Sequence, residues 1–334
     1  RVARCDRERN RSVTAVRLGR GTSLIYSPPE YIVLLRISTS PSIRVPGRFA
    51  GTHKLMRLNP VGVDEHTSPT TSMTDALKLM AVLAHPDDES LACGGLLARC
   101  AAYGVRVSLL CLTHGEHGPG QERERLADIR ASELRDAARV LGIRDVVLLE
   151  HEDGMLPWID SLRLEADILG AIRRLQPQVV VTFDSDGLYW HPDHIAVHER
   201  TTAVVAGLGS DGPSLFYVSI PAGRMRAVVD AASKAPARAD EPARPILGVA
   251  DADAFGSMAP APTLVVEAGD FAGKKLAALR CHRTQYDGSV LQQLSEPDAA
   301  RLLGTEHYRR AEVGSRDEVF IEPFATRVPV GGGT

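Results

Sequence analysis

Residues 81–90, AVLAHPDDES, place four apolar residues directly before a histidine and three carboxylates. An apolar run that stops at charged residues is typical of a buried strand ending at a polar edge of a sheet. Charged groups crowd in this way where a cation or a proton transfer offsets their repulsion, or where a solvated turn dilutes it. Taken alone, Asp87, Asp88 and Glu89 fit an acidic cap on the following helix, which the helix dipole favours.

Downstream of residue 75, apolar runs alternate with amphipathic stretches. The amphipathic stretches lie at 90–103, 121–141 and 161–175, and a further helix is predicted at 270–284. The apolar runs are 77–84, 105–113, 145–150, 178–183, 214–220 and 263–267. Strands that are apolar throughout and alternate with helices indicate a sheet covered on both faces. We therefore predict an α/β fold of the Rossmann-like type, with a mostly parallel sheet and helices on both faces.

Two segments at the predicted strand ends share a sequence. In parallel sheets of this type, ligands bind beyond the carboxyl ends of the strands. The first strand is followed by HPDDE and the fourth by DSDGLYWHPDH (184–194), so that His-Pro-Asp occurs at both ends. Proline restricts the backbone beside each imidazole. His85 and Asp88 could supply two metal ligands from one turn and a histidine of 184–194 a third, which leaves Asp87 as a general base. The repetition favours a metal site over a helix cap.

AHPDDE after a hydrophobic strand, followed about a hundred residues later by HPDH, resembles the PIG-L/LmbE family of zinc-dependent N-deacetylases. That family includes deacetylases of glucosaminyl-phosphatidylinositol, mycothiol and bacillithiol synthesis, and amidases of mycothiol conjugates. The resemblance covers roughly residues 76–290, and it extends to THGEHG (113–118), IRASELRDAARVLG (129–142) and ALRCHRTQ (278–285). It implies an LmbE-like version of the predicted fold.

The resemblance also implies roles for single residues. His85, Asp88 and His194 would bind zinc, and Asp87 would be the general base that activates a water. The choice of His194 over His191 rests on the resemblance, because spacing alone does not order the two. A site of two histidines and an aspartate also accepts iron(II) or cobalt. The predicted cofactor is therefore Zn²⁺, with Fe²⁺ as the alternative.

Five more residues are candidates for catalysis or substrate binding. His191 would donate a proton or stabilise the oxyanion, and Tyr189 matches an oxyanion-assisting tyrosine of some family members. Asp153 would hold sugar hydroxyls, although an Asp-Gly turn explains it equally well. Arg130 would steady a carboxylate or bind an anionic substrate group, or lie on a helix surface without a role. His282 would lie near the pocket, or pack in the core.

The predicted function is a metal-dependent hydrolase that removes an N-acetyl group from a GlcNAc-type glycoside or a related small amide. An amidase of a thiol conjugate would use the same machinery and stays open. A metal-dependent phosphoesterase would need more carboxylates to bridge two ions, and a non-catalytic sugar-binding module would not need Asp87. The motif GLGSDG (207–212) matches a dinucleotide fingerprint, but it follows a predicted helix rather than opening one.

Composition limits the partners and the compartment. The net charge of −3 argues against nucleic acid or an anionic membrane as the main partner, and no apolar run has the length of a membrane span. The five cysteines contain no C-x-x-C and predict reduced thiols in a cytoplasmic enzyme. The expected partner is a small-molecule substrate, and the oligomeric state, a homo-oligomer included, stays open.

The predicted catalytic domain is residues 73–325. Residues 1–72 carry 12 Lys/Arg against 5 Asp/Glu and few periodic apolar patterns. We predict that they are a disordered or non-native extension, with Met73 as a plausible start, and a basic arm that docks a partner is the alternative. Residues 222–262 interrupt the strand–helix rhythm and predict a mobile insertion or lid. The tail after residue 325 is expected to fray.

Overall fold

The computed structural model describes residues 16–18, 22–24, 77–119, 123–232, 245–258 and 260–328. The chain divides into two compact units, residues 1–69 and 70–334. The described part of the first unit is a pair of antiparallel strands, β1 (Val16–Leu18) and β2 (Thr22–Leu24). The rest of residues 1–72 lies outside the described residues, so the prediction of an extension there stays a prediction.

The second unit contains an eight-stranded sheet in the order β10-β8-β9-β7-β6-β3-β4-β5. The five strands from β3 to β7 are parallel, and β8, β9 and β10 pair antiparallel with their neighbours. The strands are β3 (Lys78–Leu83), β4 (Arg106–Thr113), β5 (Asp145–His151), β6 (Val179–Phe183), β7 (Ser214–Ser219), β8 (Leu264–Glu267), β9 (Thr305–Gly314) and β10 (Ala325–Arg327).

Helices cover both faces of this sheet, which confirms the predicted α/β fold. Every residue of β6 and β7 is buried, because successive side chains point to opposite faces and both faces are covered. Helices α1, α2 and α7 pack together, and α3 packs on α5. The helices are α1 (Asp88–Ala102), α2 (Leu126–Leu141), α3 (Ser161–Leu175), α4 (Gly187–Trp190), α5 (Pro192–Leu208), α6 (Arg224–Ala232), α7 (Ala272–Cys281), α8 (Arg283–Tyr286) and α9 (Glu296–Leu303).

The position of β3 in the sheet creates the crevice for a site. From β3 the chain runs outward through β4 and β5, and then crosses back to place β6 on the other side of β3. Met80 of β3 pairs with Ser108 of β4 and with Val180 of β6. The segments that leave β3 and β6 therefore diverge to opposite sides, and such a switch point is where α/β sheets bind ligands.

The C-terminal tail differs from its prediction. Of the residues expected to fray, Thr326 and Arg327 belong to β10 and pair with Val265 and Leu264 of β8, while residues 329–334 lie outside the described residues. This short strand is ordered because β8 offers it an unpaired edge. The predicted insertion contains α6, while residues 233–244 lie outside the described residues and their mobility stays a prediction. In the described part of the chain, no helix has both the length and the apolar character needed to cross a membrane.

Candidate active site

The first corner of the site is the turn between β3 and α1. The backbone N–H of His85 donates to Oδ2 of Asp88 at 2.8 Å, and the N–H of Asp87 donates to Oε2 of Glu89 at 3.0 Å. Asp87 has a φ of 120°, in a region that residues other than glycine rarely adopt. It occupies the cap position of α1, but its side chain makes no capping hydrogen bond. The helix-cap explanation therefore does not account for this carboxylate.

Four atoms of three side chains converge at the centre of the site. His85 and Asp88 come from the first corner, and His194 comes from the second corner, which is the segment 184–194 after β6. Nδ1 of His85 lies 3.2 Å from Nε2 of His194, and that Nε2 lies 3.2 Å from Oδ1 of Asp88. Nδ1 of His85 and Oδ2 of Asp88 are 3.5 Å apart. Tetrahedral zinc with bonds of about 2.0–2.1 Å separates its ligand atoms by about 3.3 Å. The spacing between the two histidine nitrogens and the spacing from His194 to Oδ1 of Asp88, both 3.2 Å, therefore fit one ion bound by His85, Asp88 and His194, and the second oxygen of Asp88 lies on the side of His85.

The remaining ring nitrogens determine which atoms of the two histidines carry protons. Nε2 of His85 lies 3.0 Å from Asp153 Oδ1 and 3.1 Å from Asp193 Oδ2, so it donates to carboxylates. Nδ1 of His194 lies 3.1 Å from the carbonyl oxygen of Gly187, so it also donates. In the neutral rings, Nδ1 of His85 and Nε2 of His194 then hold lone pairs that face each other. Metal-ligating histidines are oriented in this way by hydrogen bonds behind the ligand atom.

The charges around His85 also favour a cation. Burial alone would lower the pKa of His85, but the carboxylates of Asp153, Asp193 and Asp88 raise it well above its ordinary value. Burial alone would raise the pKa of Asp88, but His194 and His85 hold it well below its ordinary value. Buried carboxylates outnumber positive groups at this point, and a divalent cation would balance them.

Two other triplets also bring potential ligand atoms within 4.8 Å of one another, namely His85, His191 and His194, and His85, Asp153 and Asp193. The second triplet uses the Nε2 side of His85, which donates its proton to these carboxylates. Both oxygens of Asp193 already accept backbone N–H groups, from Gly154 at 2.8 Å and Leu156 at 3.1 Å. These contacts suit Asp193 to orient His85 from behind better than to bind the ion itself.

Asp87 precedes Asp88 in the first corner and does not belong to the proposed ligand set. Its Oδ2 accepts a hydrogen bond from Nη2 of Arg130 at 3.2 Å, and both side chains are buried. Burial raises the pKa of Asp87 to about 7, against the opposing effect of Arg130 and with a smaller raising effect of Asp88. A carboxylate with a pKa near neutrality is suited to accept a proton and release it again.

His191 and Tyr189 line the site on the side of the second corner. Nδ1 of His191 accepts the backbone N–H of Asp193 at 3.2 Å, which leaves the proton of the neutral ring on Nε2. Burial, together with His194 and His85, lowers the pKa of His191 to about 4, so the ring is neutral at pH 7. Tyr189 packs edge-on against His194 with ring centroids 5.4 Å apart, and burial raises its pKa well above the ordinary value.

The structure also locates the three residues predicted to bind substrate. Arg130 is buried and contacts Asp87 rather than lying on a helix surface. His282 is buried and its Nε2 lies 2.7 Å from Oε1 of Glu89, so it supports the first corner from behind. Asp153 contacts His85 and accepts the backbone N–H of His117 at 3.0 Å.

Sequence reasoning missed two residues of this site. Asp193 contacts His85, and the sequence signal for it is its place in the second His-Pro-Asp. Tyr286 is 1% exposed, and its hydroxyl has no hydrogen-bond partner among the described residues. Burial raises the pKa of Tyr286 well above the ordinary value, and Asp87 and Asp88 add to the effect, which puts the hydroxyl near the site. Nothing in its local sequence distinguishes it from a core tyrosine.

Comparisons with known proteins give relatives of the whole domain. The family model described as PIG-L: GlcNAc-PI de-N-acetylase matches residues 80–205. A 1D-myo-inositol 2-acetamido-2-deoxy-alpha-D-glucopyranoside deacetylase of Acidothermus cellulolyticus is 33% identical over 260 residues, which covers 69% of this chain and 87% of that protein. A protein of the same name from Actinosynnema mirum is 34% identical over 276 residues and covers 71% of this chain and 93% of that protein.

Among solved structures, N,N'-diacetylchitobiose deacetylase from Pyrococcus horikoshii, in complex with its inhibitor MPG, is similar to this chain with a TM-score of 0.52. The sequence identity is 22%, and the match covers 71% of this chain and 84% of that chain. At this identity the likeness bears on the fold alone. It agrees with the α/β architecture described above.

Proposed function

Because the chain belongs to the PIG-L family of N-deacetylases, we propose that it removes the acetyl group from a small glycoside of N-acetylglucosamine, with zinc as its metal. The relatives from Acidothermus cellulolyticus and Actinosynnema mirum are named for a glucosamine ring linked to inositol, and that glycoside is the first substrate to test. The observation that carries the proposal is the convergence of His85 Nδ1, His194 Nε2 and the Asp88 carboxylate.

The proposed metal ligands are His85, Asp88 and His194. When bound there, zinc would polarise the acetamide carbonyl and lower the pKa of a water at the open position. Asp193 and Asp153 keep the proton of His85 on Nε2, and the Gly187 carbonyl keeps that of His194 on Nδ1. These contacts leave Nδ1 of His85 and Nε2 of His194 unprotonated and oriented toward the proposed metal position, so that neither ring has to rotate for the ion to bind.

Asp87 is the proposed general base. It accepts the proton of the attacking water as oxygen adds to the acetamide carbon, and it returns a proton to the nitrogen as the C–N bond breaks. The hydrogen bond from Arg130 fixes the orientation of the carboxylate. The products are acetate and the free amine, so that one water is consumed for each acetamide.

His191 and Tyr189 are the proposed stabilisers of the developing oxyanion. The neutral ring of His191 offers its Nε2–H as a donor, because Nδ1 is held by the backbone N–H of Asp193. The high pKa of Tyr189 keeps its phenol protonated and able to donate. Fixed donors aimed at a developing charge contribute up to several kcal/mol, about 3–4 kcal/mol for a single donor.

The test measures metal content and amine release in parallel for wild type, Asp87→Asn and His194→Ala. We expect Asp87→Asn to retain metal and lose at least 10²-fold in kcat, and His194→Ala to lose both metal and activity. Asp145→Asn is the matched control. Asp145 begins β5, at the opposite end of the sheet from the site, and pairs with Arg106.

Some outcomes contradict the proposal. If the wild type binds an ion and releases no amine from any acetamide, the deacetylase assignment fails for this chain. If it instead cleaves the amide of a thiol conjugate, the reaction type stands and the substrate does not. Metal retention in His194→Ala would remove this histidine from the ligand set.

A further inference from the structure

Trp190 is a large apolar side chain held at the surface beside the site. Trp190 lies between Tyr189 and His191 in the sequence, and it is 50% exposed. Its backbone has a φ of 66°, in the left-handed region. That conformation costs a residue with a Cβ about 1–2 kcal/mol. An exposed indole on a strained backbone next to a proposed catalytic histidine calls for an explanation other than core packing.

One hydrogen bond of the indole and one of the neighbouring backbone fix the position of Trp190. Its Nε1 donates to the hydroxyl of Ser257 at 3.3 Å, so the polar atom of the ring is already used. The neighbouring Gly256 donates its N–H to the carbonyl of Leu188 at 2.8 Å. A side chain at Gly256 would clash with the carbonyl oxygen of Ile220, so the chain approaches closely at this point. Segment 254–258 thus supports the indole, whose apolar surface remains half exposed.

Trp190 lies at the rim of the site and not in its depth. The proposed ligands and base are at most 7% exposed, against 50% for Trp190. Two methionines are also exposed close by in the chain. Met258 follows Ser257, and Met155 follows Gly154, whose N–H donates to Asp193. Exposed polar residues lie near Met155. Glu152 precedes Asp153 in the same loop, and His117 donates its N–H to Asp153.

We propose that Trp190 is a specificity-determining residue that stacks on the second ring of the substrate, a carbohydrate or polyol ring joined to the N-acetylglucosamine. This inference rests on the proposed function. The acetamide on C2 has to reach the buried ligand atoms, and the group attached to the adjacent C1 then points outward to the rim. The C–H face of such a ring is apolar and its edge carries hydroxyls. An exposed indole face bordered by polar groups matches both surfaces.

The same features disfavour an acyl chain as the substituent. Burial of a long alkyl group would need a contiguous apolar patch. At the rim, polar side chains instead accompany the apolar ones: Ser257 accepts the indole N–H of Trp190 and precedes Met258, and Glu152 lies in the same loop as Met155. A ring with one apolar face needs only one platform, and the fixed indole provides it.

The kinetic test compares Trp190→Ala and Trp190→Phe with wild type on three glycosides of N-acetylglucosamine: methyl, inositol and octyl. For Trp190→Ala we expect KM for the inositol glycoside to rise about tenfold, the equivalent of 1.4 kcal/mol, with kcat unchanged. The KM for the methyl glycoside should change less than about twofold, and Trp190→Phe should keep most of the affinity because it keeps an aromatic face. The KM of Ser257→Ala for the inositol glycoside should lie between the values for wild type and Trp190→Ala.

A binding measurement tests the inference without catalysis. The chain contains two tryptophans, so Trp158→Phe makes Trp190 the single tryptophan, and its fluorescence can be followed with metal removed by a chelator. We expect a saturable change with the inositol glycoside and none with the methyl glycoside at the same concentration. This response would support the inference even if no acetamide is hydrolysed, which separates it from the proposed function.

The inference is overturned by either of two kinetic results. If Trp190→Ala raised KM equally for the methyl and inositol glycosides, Trp190 would contact the acetylated ring itself. If Trp190→Ala raised KM only for the octyl glycoside, the rim would bind an alkyl chain instead of a second ring. Absence of a fluorescence response at concentrations that saturate turnover would also reject it.

Discussion

Arg130 joins three parts of the site through one guanidinium group. Nη1 donates to the carbonyl oxygen of Gly115 at 2.6 Å, and Nη2 donates to the carbonyl of Pro86 at 2.6 Å and to Asp87. A buried arginine of this kind fixes the loops after β3 and β4 relative to each other. Gly115 has a φ of 65°, and a Cβ at this position would clash with Nη1 of Arg130. The glycine is therefore required by the arginine as well as by the turn.

Gly115→Ala should displace Arg130 and lower deacetylation at least tenfold, in addition to destabilising the fold. Gly104→Ala is the matched control, because Gly104 also has a positive φ, of 82°, but nothing lies within 4 Å of the position of its Cβ. The control should cost only the backbone strain of about 1–2 kcal/mol and keep full kcat. Urea unfolding and amine release measure the two effects separately. Equal activity in both variants would show that Arg130 does not position Asp87.

At this scale the sequence allowed part of the site to be predicted. Two His-Pro-Asp segments at strand ends were sufficient to suggest His85, Asp88 and one histidine of 184–194 as ligands, and the family resemblance selected His194. The structure places the ligand atoms of these three side chains within 3.5 Å of one another. The protonation of the two rings was beyond prediction. It depends on the Gly187 carbonyl and on Asp153, which come from loops whose course has no periodic signal.

Helix α1 is interrupted, and a strand compensates for the interruption. Cys93 has φ of −135° and ψ of 16°, which breaks the helical hydrogen bonding. The N–H groups of Gly95 and Leu96 donate instead to the two carboxylate oxygens of Glu306 on β9, at 2.8 and 2.9 Å. The same carboxylate pairs with Lys275 of α7 at 2.6 Å, and both side chains are buried. Glu306 thus acts as an internal cap for the second part of α1.

Replacement of Glu306 by Gln should destabilise the protein by about 3–5 kcal/mol, because the buried ammonium group of Lys275 loses its counter-charge. Lys275→Met should cost a similar amount by leaving the carboxylate unpaired. The double variant should cost less than the sum of the two, since it leaves neither charge alone. Urea unfolding of the four proteins gives the coupling free energy. Additive effects would mean that the pair contributes no stabilisation of its own.

The elements that could be predicted were those with a regular hydrophobic period or a recognisable capping residue. The predicted helix 161–175 agrees with α3, whose first turn is capped by Asp160 accepting the N–H of Leu162 at 2.9 Å. Strand β9 escaped prediction because its sequence, TEHYRRAEVG, is mostly charged or polar. Its charges have partners that only the tertiary fold supplies. Arg309, for example, forms two hydrogen bonds with the buried Asp184, at 3.0 and 2.6 Å.

At the scale of the whole molecule, the predicted catalytic domain begins at residue 73. The described residues that carry the sheet and the candidate site all lie between residues 77 and 328. The family model and the site residues from His85 to His194 also fall within this range. We expect the domain to hold the whole of the catalytic machinery.

A chain shortened to residues 73–334 should therefore keep kcat/KM within about twofold of the full chain, as well as its midpoint of urea unfolding. Binding of a polyanion such as heparin would be measured alongside, because residues 1–72 carry 12 Lys/Arg against 5 Asp/Glu. A large loss of kcat/KM on shortening would contradict the prediction that these residues are a disordered or non-native extension. Loss of a partner-binding activity alone would favour the basic arm.

The place of β3 between β4 and β6 has a consequence for synthesis on the ribosome. The ligand atoms of His85 and His194 are 109 residues apart in the chain. The pairing of β3 with β6, as between Leu79 and Val179, also joins residues that are far apart in the chain. A nascent chain therefore carries the first half of the site, with its clustered carboxylates, long before the second half leaves the exit tunnel. If the three proposed ligands bind an ion, its capture by all of them would follow translation of α5, and metal loading would be a late event in the maturation of this protein.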